Sequence, residues 1–179
     1  RQGTGDGEVV YKIELLMNRA GIKPEDRPVV TACMARAGET GMPAAAISLP
    51  DGRVVTGKTT PLLGASAAAL LNALKELGGI QKNIHLISPI IIEPIQKLKT
   101  QHLDSRNPRL HTDEILIALS ICAATNPTAE LAMRQLKKLR GCEAHASVIL
   151  SHVDETVFRK LGVNLTCEPT YQTNRLYHK

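Results

Sequence analysis

Apolar positions recur along the chain with two spacings, one typical of helices and one typical of strands. Helical spacing dominates the beginning, where Val9, Ile13 and Leu16 share one helix face. A second helix is predicted over about 28–38, because its first residue is a proline, which suits a first helical turn. We expect these two helices to form a helical hairpin within residues 1–41, ahead of the main domain.

A β-hairpin is predicted next, because two strand-like runs flank a strong turn signal. The runs cover residues 44–49 and 53–57, and the turn between them contains Asp51-Gly52. Thr60-Pro61 then predicts a helix start, with threonine as the N-cap and proline in the first turn. That helix is expected to end at Gly78-Gly79.

The remainder of the chain alternates strands with helices. Strands are predicted at 84–88, 143–150 and 163–167, and helices at about 91–101, 112–125, 127–140 and 151–161. Thr112 is the expected N-cap of one helix, and Ser151 with Asp154 resembles a capping box at another. These elements predict a three-layer α/β domain over 42–169, with a mixed sheet of about five strands and a tail at 170–179.

Composition agrees with a globular domain and excludes several other classes. Hydrophobic residues make up 43% of the 179 residues and charged residues 22%, which is enough apolar content for a core. The four aromatic residues are too few for a module that stacks nucleic-acid bases on exposed rings. The net charge of +5 is spread along the chain, so it does not indicate a nucleic-acid partner. No apolar run approaches the roughly 20 residues of a membrane helix.

The cysteines and the N-terminus bear on compartment and completeness. Cysteines 33, 122, 142 and 167 are widely spaced, which favours a reduced cytoplasmic compartment over a disulfide scaffold. Residues 1–7 are polar and glycine-rich, without a signal-peptide pattern. Because the first residue is not methionine, we expect the chain to be a piece of a longer protein.

One string matches the phosphate-loop pattern. Residues 52–59 fit G-x-x-x-x-G-K-[ST] letter for letter. In a phosphate loop the backbone amides wrap the phosphates, whereas here the first glycine lies in a hairpin turn and the following β-prone residues are expected to pair in a sheet. We therefore interpret the string as a hairpin strand followed by a helix start, beside which Lys58 remains a candidate for contact with an anion.

The order of the predicted elements resembles the cytidine deaminase fold. Gly64-Ala65-Ser66 falls where that family writes Cys-Ala-Glu, and Ser88-Pro89-Ile90 with Glu93 falls where it writes Ser-Pro-Cys-x-x-Cys. Deaminase chemistry needs a Cys or His ligand, two thiolates on zinc and a glutamate that moves protons. Since Gly64, Ser66 and Ile90 supply none of these groups, the resemblance predicts the fold without its zinc site.

No metal site or cofactor is predicted elsewhere. The conceivable zinc set is Cys142, His145, His152 and Cys167. Cys142 and His145 lie an odd number of residues apart at a predicted strand, so their side chains are expected on opposite faces. We interpret these residues as isolated strand and loop positions.

A polar loop over residues 102–111 is the best remaining candidate site. Arg106, Arg109 and His111 precede a helix N-terminus at Thr112, and with Lys58 they form a candidate site for a phosphate or carboxylate. The same residue types are equally typical of a solvated connector. Both interpretations stay open.

Five segments of the chain together resemble an uncharacterised bacterial family, domain of unknown function 1846. They are residues 25–30, 49–58, 107–114, 123–130 and 164–169. The resemblance covers essentially the whole chain and implies the C-terminal portion of a longer protein. It also implies an N-terminal α/β part with its own phosphate-loop-like segment. Members sometimes carry the label of ATP-dependent zinc proteases, which no residue here supports.

Two functions follow as hypotheses. The first is a non-catalytic module that packs on the N-terminal part of its own protein or on a second copy. The second is enzymatic: the domain would add an anion- or phosphate-binding part to an enzyme that acts on nucleotides or phosphorylated metabolites. The sequence does not decide whether the longer protein is an enzyme.

Overall fold

The computed structural model describes residues 7–172, so residues 1–6 and most of the predicted tail lie outside the described range. The helices and strands are α1 Gly7–Ala20, α2 Pro28–Thr40, β1 Ala44–Ser48, β2 Val54–Lys58, α3 Ala65–Leu77, α4 Pro89–Lys97, α5 Thr112–Ala123, α6 Pro127–Arg134, β3 Glu143–Ala146, α7 His152–Lys160 and β4 Asn164–Cys167. A π-helical turn, Leu98–His102, extends α4, and a 3-10 segment, Gln135–Leu139, extends α6.

The strands form a mixed sheet in the order β2-β1-β3-β4. β1 is antiparallel to both neighbours, so that Ala46 lies opposite Thr56 on β2 and opposite His145 on β3. β3 and β4 are parallel, with Ala144 opposite Leu165. The mixed α/β class and the predicted hairpin are therefore confirmed.

Helices cover both faces of the sheet, and small side chains let them approach closely. On one face, Val29 and Cys33 of α2 pack on Ala44 and Ala46. On the other, α3 packs on alternate positions such as Ile47, and α5 and α6 pack on α3. β1 is buried on both faces and consists mostly of alanine, whose small side chain permits the close approach of a helix on either side.

The contact between α3 and β2 is the tightest of these approaches. An alanine Cβ at Gly57 would lie 2.2 Å from the backbone nitrogen of Ala69. Only a residue without a side chain fits between this strand and this helix. Gly57, the second glycine of the phosphate-loop string, is thus required by packing, and it lies in a strand that pairs with β1.

The expected strand at 84–88 is absent. Its segment is irregular, with a bend at Leu86 and Ile87, and both of these side chains are buried in the core. A short apolar run does not distinguish a strand from a core-filling turn, so the sheet has four strands among the described residues instead of about five. Ser88-Pro89 begins α4 and does not follow a sheet strand, so its predicted equivalence to the second deaminase segment is wrong.

The helix expected at Thr60-Pro61 begins later, at Ala65. The hydroxyl of Thr60 accepts hydrogen bonds from the amides of Leu62 and Leu63, at 3.2 and 3.0 Å. The amide of Thr60 donates to the carbonyl of Leu63 at 2.9 Å. These bonds close a turn, and Leu63 then forms an isolated bridge with Leu110, which holds the backbone out of a helix.

The first two helices do not pack as a hairpin. α2 lies on the sheet, because Val29, Val30 and Cys33 are buried there. α1 packs on no other described helix or strand to an appreciable extent, and Val9 and Leu16 are 53% and 62% exposed. The apolar face of α2 is therefore already occupied, and that of α1 is not.

The four cysteines are free thiols. Cys33, Cys122 and Cys142 are buried, and Cys167 is half-buried. Burial raises the pKa of Cys33 to about 12, so this thiol stays protonated and unreactive at neutral pH. Within residues 7–172, no helix combines the length and the apolar character needed to cross a membrane.

Replacing Gly57 with alanine is expected to destabilise the fold, because the new methyl group meets the backbone of α3. Overpacking of this kind costs about 3 kcal/mol. Thermal melting followed by circular dichroism should show a fall of roughly 6–12 °C for a chain of this size.

Gly38→Ala is the matched control, since a Cβ at that position in α2 meets no atom within 4 Å. The better helix propensity of alanine should stabilise this variant by up to about 1 kcal/mol. Equal melting of Gly57→Ala and the unmodified chain would contradict the close contact between α3 and β2.

Candidate functional site at the start of helices α5 and α7

A buried carboxylate joins the starts of two helices. Asp154, in the first turn of α7, is 4% exposed. Its Oδ1 accepts from the backbone amide of Thr112 at 2.9 Å. Its Oδ2 lies 3.0 Å from Nδ1 of His111 and accepts from the hydroxyl of Ser151 at 2.8 Å. One side chain of α7 thereby holds the first turn of α5.

The capping signal in the sequence places the start of α7 correctly. Ser151 is the N-cap, and its Oγ accepts from the amide of Asp154 at 3.2 Å. In a complete capping box the acidic side chain returns to the backbone of its own N-cap. The carboxylate of Asp154 binds the Ser151 hydroxyl and the start of α5 instead, so the acid serves a second helix.

The N-cap of α5 is His111, and the predicted capping role of Thr112 is wrong. Thr112 is the first helical residue, and its buried hydroxyl has no hydrogen-bond partner within the described structure. Asp154 supplies the acceptor that a capping threonine would otherwise offer to the helix amides. Glu114 adds a second acceptor, because its Oε2 takes the amide of His111 at 2.7 Å.

A buried lysine fixes the loop that leads to α5. Lys99, in the π-helical turn, is 6% exposed. Its Nζ donates to Oε2 of Glu114 at 2.7 Å and to the carbonyl of Arg109 at 2.6 Å. Since breaking a buried ion pair leaves an uncompensated charge, this pair resists any displacement of the loop.

The polar side chains of the loop bind the protein's own backbone and one another. Nε of Arg109 donates to the carbonyl of Thr60 at 3.0 Å, and the amide of Arg109 donates to Oδ1 of Asn107 at 3.1 Å. That bond orients the Asn107 amide, whose Nδ2 lies 3.3 Å from Nε2 of His111. With the ring neutral, Nε2 accepts from Asn107 while Nδ1–H donates to Asp154.

The contact between His111 and Asp154 shifts the pKa values of both residues. Burial alone would raise the pKa of Asp154, but hydrogen bonding and charge from His111, with the Thr112 amide and the Ser151 hydroxyl, hold it below its ordinary value. Burial likewise opposes a charged His111, and the hydrogen bond and charge of Asp154 outweigh it, so the pKa of His111 is raised. Each partner thus stabilises the ionised form of the other.

A small cavity lies between the starts of three helices. Its volume is about 20 Å³, and its lining includes Gly64 and Ser66 of α3, His111 before α5 and Ser151 before α7. This volume has room for about one water molecule. A phosphate would enter only if the surrounding loops moved apart.

The predicted anion-binding residues are only partly brought together. Arg109, His111 and Thr112 belong to the cluster just described. Arg106 is exposed and does not line the cavity, and Lys58 lines a separate cavity beyond Thr60. Anion binding by these five residues stays a prediction. The Nδ1 of His111, the amide of Thr112 and the Nε of Arg109 already have partners within the chain.

Possible metal ligands are dispersed. Across residues 7–172, no three His, Cys, Asp or Glu side chains are grouped so that they could hold a metal ion. At the start of α3 the chain presents Gly64 and Ser66, whose chemistry does not supply the imidazole or thiolate ligands that zinc takes.

Sequence reasoning missed Asp154, Lys99 and Asn107 as members of this cluster. The one signal in the sequence was Asp154 itself, as the acid of the predicted capping box. The local sequence does not determine which group its carboxylate binds. Lys99 carried no such signal, because its acceptors are 10 and 15 residues further along the chain.

Removing the carboxylate of Asp154 is expected to destabilise the domain. Asp154→Ala leaves His111 and the start of α5 without their buried acceptor, at a cost of about 3–5 kcal/mol. Asp113→Ala is the matched control. Asp113 lies in the first turn of α5 and accepts only a local bond from Glu114, so its loss should cost about 1 kcal/mol or less. Urea unfolding measures both, and equal costs would contradict the bridging role of Asp154.

The raised pKa of His111 predicts a pH dependence of stability. Its contribution is complete below its ordinary pKa of 6.5 and is lost as the pH rises through the higher folded-state value. The free energy of unfolding of His111→Gln should therefore fall less steeply above pH 6.5 than that of the unmodified chain. His102→Gln, at an exposed position, should keep the original slope. Parallel slopes for all three proteins would show that His111 does not titrate as described.

The chain matches a family model and several curated relatives. The model described as "Domain of unknown function DUF1846, C-terminal" matches residues 25–177. A UPF0371 protein of Corynebacterium efficiens is 59% identical over 97% of the chain, and one of Corynebacterium glutamicum is 55% identical over all of it. A UPF0371 protein of Streptococcus thermophilus is 56% identical over 95% of the chain.

The chain spans about a third of the length of these relatives, since the matches cover 35%, 36% and 34% of them. The relatives share the name UPF0371, which describes no activity. The resemblance drawn from the five sequence segments is confirmed by these matches. The chain belongs to the DUF1846 family of uncharacterised proteins and comprises that family's C-terminal domain.

Proposed function

We propose that this domain is a non-catalytic module that packs on the remaining part of its own longer protein through the apolar face of α1. The observation that carries the proposal is the exposure of that face. Val9, Ile13 and Leu16 are 53%, 51% and 62% exposed, and α1 has no substantial packing partner in the described chain. A helix of 14 residues is only marginally stable alone in water, so α1 needs a partner surface.

The length of the relatives supports this choice of partner. About two thirds of each relative lies outside the part that the chain matches. A covalently linked partner is present at a high effective concentration, so a modest apolar contact is sufficient for docking. A second copy of the chain is the competing partner, and the experiment below separates the two.

The cluster around Asp154 supports a non-catalytic role. His111, Thr112 and Asp154 direct their hydrogen bonds at one another, and the adjacent cavity admits about one water molecule. The enzymatic alternative, in which this domain contributes to a site for a phosphorylated ligand, needs the rest of the longer protein to open or complete this cavity. Its candidate residues are Lys58, Arg106, Arg109 and His111.

We further infer that the sheet follows the cytidine deaminase topology. The hairpin β1–β2 leads into α3, and the unit β3–α7–β4 adds two parallel strands on the other side of β1. α3 and α7 both begin at the small cavity. In this alignment the second deaminase segment corresponds to the start of α7, with Ser151 and Asp154, and the first corresponds to Gly64 and Ser66.

The domain division and the compartment are part of the same proposal. Residues 1–41 provide the connection to the longer protein, with α2 packed on the sheet, and residues 42–169 form the α/β domain. A cytoplasmic location agrees with four free thiols, three of which are buried.

Leu16→Glu is expected to release the module in the full-length protein without unfolding it. In the proposed contact Leu16 is buried against the rest of the protein, and losing that burial costs about 2 kcal/mol. Proteolytic cleavage between α1 and α2 should accelerate by roughly 30-fold when it follows the population of the open form. In the isolated chain the same change should leave the melting temperature unaltered, because Leu16 is already exposed.

Asn18→Glu is the control, since Asn18 is exposed on the opposite side of α1. It should not change the cleavage of the full-length protein. Unchanged cleavage of Leu16→Glu would overturn the proposal. If sedimentation showed the isolated chain to be a dimer that Leu16→Glu dissociates, the partner would be a second copy instead.

A further inference from the structure

The free edge of the sheet at β2 lies at the bottom of a groove between two helices. Among residues 7–172, β2 pairs only with β1, so its outer side has no strand neighbour in that part of the chain. Arg36 of α2 borders the groove on one side, and Asn72 and Lys75 of α3 border it on the other. Two adjoining cavities of about 690 and 500 Å³ share these residues and run along the whole strand.

The backbone of β2 presents hydrogen-bonding groups to this groove. The amide of Leu49 donates to the carbonyl of Arg53, and the amide of Thr59 donates to the carbonyl of Pro43. These bonds show that the backbone N–H and C=O groups of alternate β2 residues point toward β1. Those of Val54, Thr56 and Lys58 point away from β1, into the groove. The carbonyl of Thr56 already accepts from the side-chain amide of Asn72 at 3.0 Å. An added strand would therefore replace the Asn72 amide at Thr56, and β2 has no other strand neighbour on this side among residues 7–172.

The groove carries an excess of positive charge. Its cationic side chains are Arg36, Arg53, Lys58, Lys75 and Lys82, and Glu76 is the acid among its lining residues. Arg36 and Arg53 are held by local acids, Glu39 and Asp51. For the three lysines, the described chain provides no ion pair, and burial without a counter-charge lowers the pKa of Lys75.

One end of the groove is apolar. Beyond Lys58, the cavity of about 500 Å³ is lined by Leu62, Leu71, Leu86 and Ile92. Its walls suit an aliphatic side chain, whereas the lysines suit carboxylates further along the edge. The groove is thus complementary to a segment that has one aliphatic residue followed by acidic residues.

We propose that this groove binds an extended acidic peptide segment of another protein by strand addition to β2. The segment's backbone pairs with the outward groups of Val54, Thr56 and Lys58, which is the established physics of strand addition to a sheet edge. Its carboxylates meet Lys75 and Lys82, and an aliphatic residue fills the apolar end. This inference goes beyond docking through α1 and does not depend on it.

Charge also argues against a second copy as the partner. Edge-to-edge pairing of two β2 strands would bring their lysines together, and such charges on an edge are a known protection against self-association. An acidic partner gains from the same charges that repel a copy of this chain.

Hydrogen exchange with a synthetic peptide, acetyl-Leu-Val-Glu-Val-Glu-Val-amide, tests the proposal, because its leucine and its glutamates lie on the same face of an extended strand. Added peptide should slow exchange of the amides of Val54, Thr56 and Lys58 in the otherwise unmodified chain. Two control peptides are needed. One replaces each glutamate with lysine, and the other replaces the central valine with proline, which removes a donor and disfavours pairing.

Lys75→Glu should weaken binding of the acidic peptide by about tenfold or more. Lys138→Glu, which makes the same charge change at an exposed position outside the groove, should weaken it far less. Circular dichroism verifies that both variants are folded. The proposal is overturned if the acidic peptide gives no protection of the β2 amides at millimolar concentration, or if the proline peptide binds equally well, since charge alone would then account for binding.

Discussion

The buried carboxylate of Asp154 is the constraint on which the arrangement of the polar loop depends. It satisfies the first amide of α5, the ring of His111 and the hydroxyl of Ser151 together. A buried carboxylate is costly unless it is fully hydrogen-bonded, so these three partners hold their positions as a unit. Lys99 and Glu114 fix the other side of the loop in the same way, and the starts of α3, α5 and α7 are consequently packed around a cavity of about 20 Å³.

Because the polar groups of this cluster bind one another, the candidate surfaces for partners lie elsewhere on the molecule. In the loop that most resembled a binding site, Arg109, His111 and the amide of Thr112 already hydrogen-bond to the protein's own carbonyls and carboxylates. Two surfaces remain incompletely covered within the described chain, namely the apolar face of α1 and the free edge of β2. They differ in chemistry, since one is aliphatic and the other is cationic with an apolar end, so they suit different partners.

Local signals predicted the local structure well and the tertiary contacts poorly. The Asp51-Gly52 turn and the Ser151 cap were each determined by neighbouring residues, and the structure confirms them. The N-cap of α5 was assigned one residue too late, to Thr112 instead of His111, because the acceptor for the Thr112 amide comes from Asp154, 42 residues away. Ile87 was assigned to a strand because it lies in a short apolar run. Apolar character predicts burial, but it does not specify whether the backbone pairs in a sheet. The phosphate-loop string was correctly interpreted as a hairpin strand, since β-propensity outweighed the pattern of letters, but the helix expected directly after it begins only at Ala65.

Hydrogen exchange of α1 and of the polar loop, compared between the isolated chain and the full-length protein, tests the central claim most directly. If the domain is a docking module with an internally satisfied loop, the amides of α1 gain protection only in the full-length protein. Those of His111 and Thr112 are then equally protected in both. If α1 exchanges alike in both proteins while the loop gains protection only in the full-length protein, the loop belongs to a shared site and the account is contradicted.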